Sequence, residues 1–293
     1  MSLKNLKKPV KYLNSLFCEK ISPRFYLEYR FKKAHNYKPD FKNPSTHSEH
    51  IVASNLIPNA LKTQLADKIA VRQFIAEQIG SEYLIPAYAT MDFLTQEIFN
   101  SLPNSFALKA NHASATNLIV KDKSQHKYSD VRRMSDKWLS TKFHQRHMEM
   151  HYKDIKPALI AEELLLDENE EIPSDYKVHY FKNNGHSKFF IQLDSNRFSK
   201  HTRDVFDSEW NQTKIQIQYQ RSVNVKHKKP INLNLMHELC EKIYIPTNYA
   251  RIDWYEVKGK LYFGEITFTP GAGFESITPI QAEKDWGKLW NCS

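Results

Sequence analysis

Apolar and polar positions alternate with a period of two in the last quarter of the chain. Ile252, Trp254, Tyr255 and Val257 lead into Lys258-Gly259-Lys260, and Leu261, Tyr262 and Phe263 follow, which predicts two strands joined by a tight turn. A second hairpin is expected in DYKVHYFKNNGHSKFFIQLD, turned at Asn184-Gly185. Helical spacing of Leu65, Ile69, Phe74, Ile75 and Ile79 predicts one helix from Leu61 to a stop at Gly80. LNLMHELCEKI predicts another helix, and residues 126–150 read as polar helix. Between them lie short β-type runs, YLIPAYAT, SFALKA and NLIVKD, with the small-residue stretch NHASATN separating the last two. ALIAEELLL reads as a buried strand, and residues 1 to about 60 as helices and loops ending at Asn43-Pro44-Ser45-Thr46. No internal repeat or low-complexity linker interrupts the pattern. The sum is an α+β chain built on antiparallel hairpins, not a doubly wound parallel sheet.

Length and composition narrow the setting. The chain has 293 residues, enough for one large or two modest domains. No stretch approaches the roughly 18–20 continuous apolar residues of a membrane span, and the N-terminus lacks the apolar segment and cleavage site of a signal peptide. Three scattered cysteines, Cys18, Cys240 and Cys292, suit a reducing compartment, so the cytoplasm is the expected location. A formal net charge of +9 favours anionic partners. Aromatics interleave with cations in RFYLEYRFKKAHNYKPDFK, but no nucleic-acid motif accompanies them, and nucleic acid is not an expected partner. The same basic segment suits peripheral contact with an anionic membrane. Only seven glycines occur, and neither a P-loop nor a dinucleotide fingerprint is present.

The terminal hairpin poses a chemical problem. Arg251 and Asp253 share one face of their strand, and Glu265 and Thr267 share a face of the next. Two carboxylates facing each other across strands repel. A divalent metal carrying phosphates removes that penalty. Further candidates are Lys68 and Arg72 on a helix, Lys109 before the small-residue loop, Glu162-Glu163 ending an apolar strand, Asp175 and Lys177 on one strand face, and Arg197. Cations on phosphate oxygens and carboxylates on a metal describe a magnesium-nucleotide site. The plain alternatives are surface charge for Arg72 and Lys109, a cross-strand pair for Asp175 and Lys177, and an Arg251–Glu265 salt bridge.

FALKANHASATNLIVKD, IAEELL, DYKVHYF and RIDWYEVKGKLYFGEITFTPGAGF, in that order, resemble the ATP-grasp superfamily. LADKIAVRQFIAEQIGSEYLIP, HYKDIKPALIAEELL and GEITFTPGAGFESITP are similar, more narrowly, to the teichuronopeptide-biosynthesis (TupA-like) ATP-grasp amidoligases, from about residue 60 onward. The resemblance implies an ATP-grasp fold of two α+β subdomains whose antiparallel sheets grip the nucleotide. A basic helical N-terminal region (1–60) would precede a catalytic domain (61–293), with a nucleotide lid at about 104–165 and a metal-binding subdomain at about 166–293.

The resemblance also implies roles. Arg72, Lys109 and Ser114 would hold ATP phosphates, and Glu162, Glu163 and the backbone to Leu165 the adenine. Asp175 would meet the ribose and Lys177 the transferred phosphate. Asp253, Glu265 and Thr267 would hold magnesium, while Arg251 stabilises charge on the phosphoryl group. Arg197, with His201 and Arg203 in SNRFSKHTRD, is the candidate to receive an acidic acceptor, with a solvated loop as the equal alternative. Two departures stand out: Ala113 and Ala115 where related loops include glycine, and Thr267 where the wider superfamily has asparagine. The implied activity is an ATP- and magnesium-dependent carboxylate–amine ligase, joining a small amine such as an amino acid to the uronic-acid carboxyl of a surface polysaccharide or precursor. Rival readings are a kinase of a sugar or peptide, a glycosyltransferase, disfavoured because no D-x-D is present, and a non-catalytic binder of acidic glycans.

Overall fold

A computed structural model describes residues 22–183, 185–196 and 200–290. Two antiparallel sheets organise it. The smaller contains β1 (Ala87–Met91), β2 (Phe106–Ala110), β3 (Asn117–Val120) and β4 (Leu159–Glu162) in the order β1-β4-β2-β3. The larger contains β5 (Asp175–Asn183), β6 (His186–Ser195), β7 (Thr202–Asp207), β9 (Tyr249–Val257) and β10 (Lys260–Thr267) in the order β10-β9-β5-β6-β7. A two-stranded pair, β8 (Gln216–Ile217) with β11 (Ile277–Thr278), completes the set. The small sheet thus draws in β1, ahead of residue 104.

Both predicted hairpins form. Val257 pairs with Lys260 across a two-residue turn in which Lys258 and Gly259 have φ of 51° and 75°, the twist that matches flanking strands. Further along, the register slips between Phe263 and Glu265. Gly264 permits this bulge, because a Cβ there would stand 2.9 Å from the Asp253 carbonyl oxygen. The slip leaves Glu265 directly opposite Asp253.

The two faces of the large sheet differ in chemistry, and the difference places the site. One face carries Val178, Tyr180, Ile252 and Trp254, all fully buried against α4 (Ala70–Ile79) and α8 (Leu233–Lys242). Spacing on α8 explains its seat, since Leu233, Met236, Leu239 and Cys240 fall on one side. Each such side chain contributes about 1.5–3 kcal/mol of burial. The opposite face starts apolar, with Phe181 and Tyr249 against Trp286 and Trp290 of α9 (Ile280–Trp290). Towards the β5 start it turns polar, with His179, Lys177 and Asp253 all buried.

Three expectations change. The helix expected over 61–80 divides into α3 (Ala60–Ala66) and α4. Asp67 Oδ1 accepts from the backbone of Ile69 at 2.8 Å and Ala70 at 3.3 Å and from Asn111 Nδ2 at 2.9 Å, so a tertiary bond and a cap override local periodicity. ALIAEELLL is strand only as far as Glu162. The polar stretch 126–150 holds α6 (Tyr128–Leu139) and α7 (His144–His147), preceded in the small sheet's cover by α5 (Gln96–Ser101). Near the start, Ser22 caps α1 (Pro23–His35), and Thr46 with Glu49 forms a capping box on α2 (His47–Asn55). Leu27 and Phe31 bury one side of α1, while Phe25 and Tyr29 stay exposed. No described helix is long and apolar enough to cross a membrane.

Candidate active site

On the small sheet one carboxylate holds two cations. Lys109 lies between fully buried Leu108 and Ala110, and its Nζ reaches Glu162 Oε2 at 2.7 Å. Arg72, projecting from α4, donates to Glu162 Oε1 at 2.9 Å and to the Ile85 carbonyl at 2.8 Å. The lysine's need for a partner in an apolar strand is met, and the cluster keeps a surplus positive charge. Glu163 and Leu165 are half-buried beyond the strand end, with the Glu163 N–H donating to Pro86 O at 2.9 Å. Asn111 fixes the small-residue loop, accepting from the Ala158 N–H at 2.8 Å and donating to Lys156 O at 3.0 Å. Beyond it Ser114 and Ala115 are exposed, and Ala115 adopts φ of 56°.

On the large sheet three acids meet three cations. Arg251 grips Asp253 with Nε at 2.7 Å and Nη2 at 2.8 Å, and Nη2 also reaches Glu265 at 3.3 Å and the Thr267 hydroxyl at 3.1 Å. Lys177 donates to Asp253 at 2.9 Å and to Asp175. Lys68, standing in the break between α3 and α4, meets Glu265 Oε2 at 3.2 Å and the Ala113 carbonyl at 3.2 Å. Burial alone would raise the Glu265 pKa, but the Lys68 and Arg251 cations outweigh it and hold the carboxyl well below its usual range. The repulsion posed by the sequence is therefore removed by protein cations. The Arg251–Glu265 bridge and the Asp175–Lys177 pair are both present in this geometry.

The donors nonetheless suit a hard cation. They are all oxygens, from Asp253, Glu265 and Thr267, and Glu265 is 32% exposed where it borders open space. Among the described residues no group of three or more His, Cys, Asp or Glu side chains forms a metal cluster, so phosphate oxygens or water would have to complete any coordination. Beside the donors lies a cavity of about 410 Å³, lined by Arg251, Glu265, Thr267 and Thr269, by Ser114 of the small-sheet loop, and by Arg146 and Glu149.

The structure gathers the sequence candidates into these two clusters. Arg72, Lys109 and Glu162 form the first. Asp175, Lys177, Arg251, Asp253, Glu265 and Thr267 form the second. Arg197 lies outside the described residues. Of its neighbours, Arg203 bonds buried Asp194 at 2.5 Å and Glu275 of the cavity wall at 3.1 Å, and His201 meets Asp194 at 3.1 Å. Sequence reading counted Lys68 with Arg72 among the site's cations but named no partner for it, and it passed over the cavity wall at 143–152. The dipeptide Asp67-Lys68 was the available signal for the first, since an acid after a short apolar repeat can cap a new helix.

Two antiparallel sheets, one with a cation-rich cluster and a loop whose Ser114 lines the cavity, the other with an oxygen-donor hairpin on the same cavity, are the arrangement of the ATP-grasp class. The family model for TupA-like ATP-grasp proteins matches residues 53–290, and the chain belongs to that family. Comparison with curated proteins gave no match. Similar solved structures include D-alanine–D-alanine ligase from Helicobacter pylori, at 13% identity over 77% of this chain and 61% of that one, with a TM-score of 0.44. D-alanyl-alanine synthetase A from Vibrio cholerae is 12% identical over 70% of this chain and 56% of its own, with a TM-score of 0.39. A RiPP-associated ATP-grasp ligase from Chryseobacterium gregarium, in complex with ADP and a leader and core peptide, is 11% identical over 80% and 62%, with a TM-score of 0.37. The chain spans less than two-thirds of the length of each.

Proposed function

We propose that this protein is an ATP- and magnesium-dependent carboxylate–amine ligase. The observation that carries the reading is the shared cavity: the oxygen donors Glu265 and Thr267, the cation Arg251 and the loop residue Ser114 all line it. Family membership supports the nucleotide. Asp253, Glu265 and Thr267 would hold magnesium, which would supply charge neutralisation on the phosphates.

The chain's own residues do the rest. Lys109 and Arg72, with their surplus charge, bind phosphate oxygens while Glu162 orients both side chains. The adenine contact then falls to Glu163 and the backbone to Leu165, because Glu162 is occupied by its two cations. Asp175 meets the ribose. Lys177 and Arg251, which flank the carboxylates that would hold magnesium, would bind the transferred phosphate and stabilise its charge as the substrate carboxylate attacks to form an acyl phosphate. Positioning is the protein's main contribution, and no covalent enzyme intermediate is required.

We assign the carboxylate to a uronic acid of a surface polysaccharide or precursor and the amine to an amino acid, on the strength of the narrower family. A coupled ADP assay with magnesium, uronic acids and the standard amino acids tests this, with amide detected by mass spectrometry. ATP turnover with a phosphorylated sugar and no amide would instead establish a kinase.

A further inference from the structure

The cavity is bordered by three carboxylates, and two are matched by cations. Glu265 meets Lys68 and Arg251 at 3.2 and 3.3 Å, and Glu275 meets Arg203 at 3.1 Å. Glu149 differs. It is 5% exposed, and among the described residues no cation stands within ion-pair distance of it; its side chain accepts one hydrogen bond, from the Thr269 hydroxyl at 2.6 Å.

The groups facing it come from every neighbouring element. Arg146 from α7 and Lys62 from α3 act on it at longer range. Lys62 is itself committed, donating to Ser54 O at 3.1 Å over the Phe268 ring. Tyr152, Arg251 and Glu265 share the cavity wall. A largely buried carboxylate on the cavity wall, beside the Arg251–Glu265 hairpin and without a counter-ion among the described residues, is placed to receive a cation from the cavity. An amine substrate is such a cation, because it arrives protonated and must lose a proton before its lone pair can attack.

We infer that Glu149 binds the ammonium group of the amine substrate and takes its proton as general base, a reading that rests on the ligase assignment. In the step, one N–H proton passes to the Glu149 carboxylate. The freed lone pair forms the C–N bond, the C–O bond to phosphate breaks, and the departing phosphate takes the electron pair and the second amine proton. Glu149 then returns its proton to water. The Thr269 hydroxyl fixes one carboxylate oxygen and leaves the other for the amine. Burial pushes the Glu149 pKa up to about 7 against the Thr269 bond and the Arg146 and Lys62 charges, which suits proton exchange near neutrality.

Hydroxylamine separates this inference from its parent. It is largely unprotonated at neutral pH, so it traps an acyl phosphate as hydroxamate without a base. Wild type, Glu149→Gln and Glu149→Asp are assayed with ATP, magnesium and glucuronate plus galacturonate, using hydroxylamine or the standard amino acids as nucleophile. Glu149→Gln is expected to lower amide formation roughly 10²–10⁴-fold and abolish the acid limb of its pH profile, while hydroxamate falls less than about tenfold. Glu149→Asp restores part of the amide rate. Amide formation with an unchanged rate or pH limb in Glu149→Gln, or a parallel fall of both products, overturns the inference. Absence of both products from the wild type overturns the ligase assignment, and this inference with it.

Discussion

The two charge clusters use the same residue types in opposite proportions. On the small sheet one acid, Glu162, faces Arg72 and Lys109. On the large sheet Asp175, Asp253 and Glu265 face Lys177, Arg251 and Lys68. The first cluster is left positive and can hold an anion without rearranging. The second is neutral as it stands, so adding a divalent cation there creates a charge that only incoming phosphates can balance. On the proposed function, metal and nucleotide would therefore bind the hairpin together, whereas the small-sheet cluster would hold phosphates on its own.

The largest test removes the hub of the balanced cluster. Arg251→Met leaves Asp253, whose side chain is 4% exposed, with one cation, Lys177, already shared with Asp175, and should cost about 3–5 kcal/mol of stability by urea unfolding. Ligase turnover should fall roughly 10²–10³-fold. If stability is unaffected, Lys177 alone satisfies Asp253 and the balance argument fails.

Glu149 extends the comparison to a carboxylate with no cation partner among the described residues. Its folded pKa, about 7, exceeds the ordinary 4.5. The folded state therefore binds more protons between these values, and stability falls as pH rises through that window. The penalty, about 3 kcal/mol, is complete above pH 7. Glu149→Gln should be more stable than wild type by up to that amount at pH 8, with the gap closing by pH 5 in thermal melts. The opposite sign holds for Glu265, whose lowered pKa stabilises the fold above about pH 4.5 and whose contribution is lost in stronger acid.

Smaller effects probe the positive cluster. Glu162→Gln should weaken the hold on Arg72 and Lys109, costing about 1–2 kcal/mol and lowering nucleotide affinity several-fold in equilibrium titrations. The least is expected from Ala115→Gly. Ala115 occupies the left-handed region, so glycine should gain about 0.5–1 kcal/mol. A loss would show that the loop's stiffness, rather than its strain, dominates.

Local pattern made the two hairpins and α8 legible, because period-two and helical spacing report burial on one face. It also placed Asp253 opposite Glu265, although the bulge at Gly264 that completes this register left only a glycine as its trace. The partners of those acids were not legible. Lys68 acts from a helix break set by Asn111, some forty positions away in sequence, and Arg146 and Glu149 reach the cavity through a polar segment without periodicity. Strand β7 was hidden for a related reason: its Arg203 and Asp204 are buried by pairing with Asp194, His227 and Ser222, so its alternation is not hydrophobic.

One close approach at the cavity rim bears on how the protein can be re-engineered. Gly273 lies so near α2 that a Cβ would fall 2.6 Å from Val52, while Ile51 packs with Trp286 and Trp290. The family match begins at residue 53, inside this helix. A chimera spliced there would cut through the helix that backs the 270–275 side of the cavity. Transplants of the family-matched segment should carry all of α2 along, or expect the pocket to lose its shape before any residue lining it has been altered.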